Sequence, residues 1–303
     1  MNPLTWLWIP LTIGAAFAQT LRNAAQRHLT GELGMLGATL IRFLYGVPFV
    51  ALWLGIVRYV TASPLPAPSF AFVAWILVAA LGQTAGTALL LRAMTERNFA
   101  IGLVYSKIEI VQVALFSVIV LGDPLSLLTC VAIALATLGV VLLSPRLPET
   151  GKLSRPWTDR AAWFGFASGA GFAISVVGYR SASLALQAEN PFVGAAYASL
   201  SGQVIQILLL VGWLALRNRA VFRALAREWR LSLFAGFAGA LASLAMVTAL
   251  TFEPAAHVRT LSLIEVLFTY AISLRIFRQA ISRRELAGIV LVVLGVGLIA
   301  ATS

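Results

Sequence analysis

Two glutamates sit in matching settings within apolar sequence. Ser106-Lys107-Ile108-Glu109 and Ser262-Leu263-Ile264-Glu265 lie 156 residues apart, each glutamate near the middle of an apolar run. A charged group at the centre of a bilayer costs about 2.5–3.5 kcal/mol on insertion scales, so ionisable residues at that depth are functional candidates. Two carboxylates lining one cavity would carry a proton or bind a cationic substrate group. The alternative is structural, each carboxylate serving as a hydrogen-bonding group at a helix crossing.

The surroundings of Glu109 favour an organic solute over a bare ion. At helical spacing Tyr105, Glu109, Gln112 and Phe116 share a face that mixes hydroxyl, carboxylate, amide and ring. Lys107 lies on the other side of that helix. It would receive a substrate carboxylate, pair with Glu265, or snorkel to a headgroup. Arg42, in the second apolar run, would hold an anionic group bidentately or tie helices together through carbonyls. Trp163 lies further from a span end than most tryptophans and joins the cavity candidates. His257 and Arg259 open the ninth run and read as interfacial. The expected substrate and proton site is therefore Glu109, Glu265, Lys107, Tyr105, Gln112, Arg42 and Trp163.

Other chemistries find no residues. One cysteine, Cys130, and two histidines, His28 and His257, give no expectation of a disulfide framework or a metal site. There is no His-Glu-x-x-His, no pair of intramembrane aspartates and no phosphate-binding glycine loop. No enzyme, no catalytic residue, no cofactor and no ATP binding are expected. Transport, if it occurs, runs on a gradient.

The elements that hold these residues follow from composition. The 303 residues are 60% hydrophobic and 11% charged, with a mean hydropathy of +0.92. Soluble domains carry about 25% charged residues, so this chain cannot coat a water-facing surface and reads as an all-α integral membrane protein. Ten apolar runs can be traced: Leu4–Leu21, Leu33–Val57, Phe70–Leu91, Phe99–Leu121, Leu125–Ser144, Ala161–Gly178, Pro191–Leu216, Leu231–Leu250, Ala256–Ile276 and Leu286–Ala301. Each is near the roughly 20 residues of one helical crossing, and none alternates as a barrel strand would. Residues 146–160 form a polar, proline-bearing linker between a five-helix block over 1–145 and another over 161–303.

The blocks read as repeats. At the 156-residue offset, Ala93–Leu142 aligns with Ala249–Leu298 without a gap, with 14 identities in 50 positions. Glutamate falls on glutamate and serine on serine at three places, matches that apolar bias does not supply. Five is an odd number of crossings, so the second copy enters from the opposite side, the inverted-repeat architecture of many secondary transporters.

The set of motifs resembles the drug/metabolite transporter superfamily in its EamA-type branch, over nearly the whole chain. Arg42 in Leu40-Ile41-Arg42-Phe43 resembles that family's second-helix arginine. Ile108-Glu109, followed by Gly122-Asp123-Pro124-Leu125-Ser126, resembles its fourth-helix glutamate-proline element and the turn after it. The chain departs at Ile110 and Val266, where the proline would stand, and at Asp123 and Arg278-Gln279, where the turn glutamate would. The resemblance implies a ten-helix carrier that exports or exchanges a small organic molecule, an amino acid or related solute fitting the polar set. Proton-coupled efflux of hydrophobic cations, and a membrane assembly role without transport, remain the alternatives.

The net charge of +11 matches a nucleic-acid binder's, but the basic residues cluster at the ends of apolar runs, so no nucleic-acid partner is expected. Seventeen Lys and Arg fall in the odd-numbered connections; the even-numbered ones hold Arg58 and Arg180. Basic loops stay cytoplasmic, which places the chain in the inner membrane with both termini periplasmic. EamA-type relatives imply the opposite orientation. Monomer and homodimer are both open at this level.

Overall fold

The computed structural model describes residues 5–95, 108–143, 160–277 and 282–301. The described residues are helical, with no strand among them. They form two compact units, one of Met1–Leu81 with Gly178–Glu253, the other of Gly82–Val177 with Pro254–Ser303.

In the first unit, α1 (Trp8–Leu44) runs through the first connection expected from hydropathy. The stretch Arg22–Glu32 is polar but rich in Ala, Gln, Arg, Leu and Glu, all good helix formers. Helical geometry fails only at Gly34, whose φ of 65° is left-handed and suits glycine. A turn at Tyr45-Gly46 precedes α2 (Val47–Thr61), which carries Pro48 in its first turn, where a missing N–H costs nothing. The second apolar run is therefore interrupted rather than a single straight helix. α3 (Phe70–Thr95) begins in this unit.

The remaining elements of that unit start with α7 (Pro191–Arg217), capped by Asn190, whose Oδ1 accepts from the amides of Phe192 and Val193 at 2.9 and 3.3 Å. α8 (Ala220–Arg227) buries Val221 and Leu225 and exposes Arg223 and Arg227, an amphipathic helix in the most basic connection. α9 (Trp229–Phe252) presses Gly236 against Tyr45 so closely that a Cβ there would lie 2.5 Å from that residue's own Cβ. Val50, Leu54, Val193, Ala196, Ala240 and Leu244 form one core of this unit; Leu29, Leu40, Ile41, Leu210, Leu214 and Leu225 belong to another.

Two arginines counted above as loop charges are buried. Arg22 is 6% exposed and Arg180 is 8% exposed. Arg180 Nη1 donates to the carbonyls of Leu250 (2.7 Å) and Glu253, where the last turn of α9 leaves acceptors without helical donors. Trp8, near the start of the first apolar run, is 1% exposed within the unit.

The second unit contains the rest of α3, then α4 (Glu109–Leu121), α5 (Leu127–Leu143), the first part of α6 (Arg160–Ala185), α10 (Ala255–Leu261), α11 (Ile264–Phe277) and α12 (Arg283–Ala301). α3 and α6 meet through glycines, a Cβ at Gly171 falling 2.8 Å from Gly86 Cα, and Ser168 Oγ donates to the Gly86 carbonyl at 2.8 Å. α5 and α12 cross with reciprocal contacts. A Cβ at Gly139 would lie 2.7 Å from the Gly288 carbonyl, and one at Gly295 would lie 2.7 Å from the Ala132 carbonyl. The 156-residue offset carries Gly139 to Gly295 and Ala132 to Gly288, so each contact is the other with the repeats exchanged.

Six described helical segments are long and apolar enough to cross a membrane: 36–61, 70–90, 162–185, 191–217, 229–252 and 283–301. α4 and α5 are shorter apolar helices. The chain is a multi-pass membrane protein.

Candidate functional site

Glu109 and Glu265 both stand in the first turn of a helix, α4 and α11. The partial positive charge of a helix N-terminus favours a carboxylate there. For α11 this start is an interruption. The ninth apolar run, expected as one helix, ends α10 at Leu261, turns at Ser262-Leu263 and restarts at Ile264. Ser262 Oγ donates to the Arg259 carbonyl at 2.7 Å and Ser262 N to the Val258 carbonyl at 3.0 Å, closing the last turn of α10.

Just before that interruption, Arg259 on α10 meets Glu109. Arg259 Nε donates to Glu109 Oε1 at 2.7 Å and Nη2 to Oε2 at 3.0 Å, a parallel two-point pair. The carboxylate is 9% exposed and the guanidinium side chain 22%. Arg259 occupies the last turn of α10, where the helix dipole favours a cation, so both dipoles reinforce the pair. Glu109, Ile110, Arg259, Ser262, Leu263, Glu265 and Val266 line a small cavity of about 30 Å³. Glu265 is near enough to act electrostatically on the same guanidinium. Burial of an ion pair is expensive unless geometry is good and both partners stay, so removing either one leaves a costly lone charge.

Of the expected site residues, Glu109 and Glu265 share this cavity. Gln112 is buried one turn along α4, its Nε2 donating to the Phe166 carbonyl at 3.3 Å and its Oε1 accepting no hydrogen bond from the described residues. Trp163 is 56% exposed, its ring edge-on to Phe166 at 6.3 Å, and does not line the cavity. Arg42 belongs to the first unit. Its guanidinium lies 4.7 Å from the centre of the Phe43 ring, and its stem lies against Gly239 on α9. Tyr105 and Lys107 lie outside the described residues.

Arg259 is the residue that the sequence reading left at an interface. His257, read the same way, is 9% exposed, with Nε2 3.1 Å from Thr129 Oγ1; that hydroxyl in turn lies 2.9 Å from Ser126 Oγ. This chain joins α10 to the start of α5 and fixes the side of α10 away from the interruption. No group of three or more His, Cys, Asp or Glu able to hold a metal occurs among the described residues.

The comparisons with known proteins agree with this architecture. A search of curated proteins returns no match. A solved crystal structure of a protein of similar length matches at 16% identity with a TM-score of 0.71, over 97% of this chain and 94% of that one, a likeness of fold. The family model of the EamA-like transporter family matches twice, over residues 6–144 and 159–301, one match for each half. Matched in both halves and over nearly all its length, the chain belongs to the EamA-like transporter family.

Proposed function

We propose that the protein is a secondary-active carrier of a small organic solute bearing a carboxylate, such as an amino acid or related zwitterion. Ten crossings in two inverted repeats, over 1–145 and 161–303, provide alternating access by rocking of the repeats. Glu109 and Glu265 serve as proton and substrate groups, with Tyr105, Lys107 and Gln112 as further polar contacts for the solute. The supporting observation is Arg259 in the cavity. A hydrophobic cation needs carboxylates alone, whereas a planar guanidinium with two parallel donors recognises a carboxylate bidentately. A solute carboxylate competes with Glu109 for that fork, and its ammonium group finds carboxylates beside it. Binding therefore breaks the pair, and protonation of Glu109 promotes the same release. This couples solute movement to a gradient without ATP. No catalytic role is assigned.

The test is counterflow into proteoliposomes preloaded with a panel of amino acids, simple organic acids and hydrophobic cations. Uptake of labelled carboxylate-bearing solutes, and none of the cations, is expected. Exchange of cations alone replaces this reading with cation efflux. No exchange of anything on the panel leaves the membrane assembly role.

Orientation is a second expectation. With Arg22 and Arg180 removed from the loop count as buried residues, the basic excess still falls in the odd-numbered connections. An alkaline phosphatase fused after Ser303 in the inner membrane should be active, from a periplasmic C-terminus. A fluorescent green fusion at the same point instead reverses the assignment.

A further inference from the structure

Residues 217–230 hold five arginines, one glutamate and no lysine. Arg217, Arg219, Arg223, Arg227 and Arg230 are all exposed, and among the described residues no ion pair joins any of them to a carboxylate. The segment closes the ends of two spans of the first unit, α7 and α9, with α8 between them. We infer that it is a binding surface for anionic phospholipid, its arginines holding the headgroup phosphates of the leaflet in which it lies.

The arginines are presented on a fixed helix. α8 buries Val221 and Leu225 in the core that contains Leu29 and Leu33 of α1, and Tyr45 Oη donates to the Leu225 carbonyl at 3.0 Å. These contacts set the rotation of α8 about its own axis. Arg219, Arg223 and Arg227 then follow one another at four-residue spacing along the exposed face. Like charges at that spacing repel, and no residue of opposite sign stands on the stripe. The one glutamate, Glu228, is half-buried at the C-terminal cap of α8. A phosphate over the stripe removes the repulsion, and a guanidinium takes a phosphate oxygen pair at two points. The flanks set the depth. Trp213 on α7 and Trp229 at the start of α9 are 53% and 50% exposed, and tryptophans at span ends lie at headgroup level. The Arg217 guanidinium lies 5.4 Å from the Trp213 ring centre and that of Arg230 lies 5.4 Å from the Trp229 ring centre, so cation and ring occupy that level together. Leu216, 84% exposed beside Arg217, adds apolar surface that an acyl chain covers and a soluble polyanion does not. Charge and apolar surface at one level fit a lipid.

The experiment titrates the full chain in detergent with phosphatidylglycerol or phosphatidylcholine of matched acyl chains and reads bound lipid by native mass spectrometry. The parent should prefer phosphatidylglycerol. Replacing Arg219, Arg223 and Arg227 together by glutamine should weaken phosphatidylglycerol binding by roughly a hundredfold, about fivefold for each basic residue lost near an anionic surface, and leave phosphatidylcholine binding unchanged. A second triple variant, Arg58→Gln with Arg160→Gln and Arg283→Gln, removes the same charge from exposed positions elsewhere and should keep the preference. No preference in the parent, or equal losses in the two triple variants, overturns the inference. If the first triple variant does not elute as the parent does, Arg223→Gln alone must weaken phosphatidylglycerol binding about fivefold, and unchanged binding overturns the inference equally. Two further arms separate other sources of phosphate. Displacement of the lipid by millimolar inorganic phosphate reassigns the arginines to a free anion. Tighter binding of a short single-stranded RNA, lost in the same triple variant, reassigns them to nucleic acid. Neither is expected.

Discussion

Glu109→Gln is expected to lower gradient-driven solute flux by roughly tenfold to a hundredfold, the equivalent of about 1.5–3 kcal/mol for a hydrogen bond to a charged group. Glutamine keeps the volume and one acceptor but turns an NH₂ toward Arg259. Two donors then face each other where a carboxylate accepted from Nε and Nη2 at 2.7 and 3.0 Å. The proton is lost as well, so protonation no longer helps to free Arg259 for the solute carboxylate. Glu265→Gln should also impair flux, but less. Glu109 is buried in a two-point pair and shares its face with Gln112, whereas the equivalent face of Glu265 carries Leu261 and Phe268. Uptake in proteoliposomes across a range of pH, with elution volume as the check on folding, measures both. Wild-type rates for both variants at every pH would make the carboxylates structural and the protein an uncoupled facilitator.

The two glutamates were legible because depth and repetition are properties of sequence. A carboxylate costs too much in an apolar run to be placed without a role, and its recurrence in register removes chance. Arg259 was not legible by the same means. It stands near the start of the ninth run, where hydropathy alone places a snorkelling anchor. The available signal was the repeat itself. Arg259 opposite Leu103 is the same kind of asymmetry as Lys107 opposite Leu263.

The interruption between α10 and α11 was hidden for a related reason. Hydropathy records whether residues prefer lipid, and both half-helices do. Ser262 and Leu263 change the backbone without changing the preference. The reverse error occurred in α1, where a polar stretch continues as helix because propensity and burial of Leu29 and Leu33 decide it. Arg22 and Arg180 show the limit of charge counting. Topology rules count residues, whereas Arg180 spends its charge on the carbonyls ending α9.

The second large effect concerns stability, at the crossing of α5 and α12. Gly139→Ala and Gly295→Ala are each expected to destabilise the protein by about 1–3 kcal/mol, the usual cost of overpacking. The added Cβ would lie 2.7 Å from the Gly288 carbonyl in one case and from the Ala132 carbonyl in the other. These are backbone atoms of helices, which cannot swing aside as a side-chain tip does, so the helices must separate. Separation forfeits dispersion contacts along the crossing, and small residues at such crossings are how membrane helices approach closely. Alanine's higher helix propensity works the other way, by at most about 1 kcal/mol. Gly55→Ala isolates that gain, because no neighbouring atom lies within 4 Å of its Cβ position, and it should be neutral or stabilising. Thermal unfolding in detergent compares the three. The two crossing variants should lose similar amounts, since exchange of the repeats maps one contact onto the other. If Gly139→Ala behaves like Gly55→Ala, the crossing is loose; if only one of the pair is sensitive, the two contacts are not equivalent.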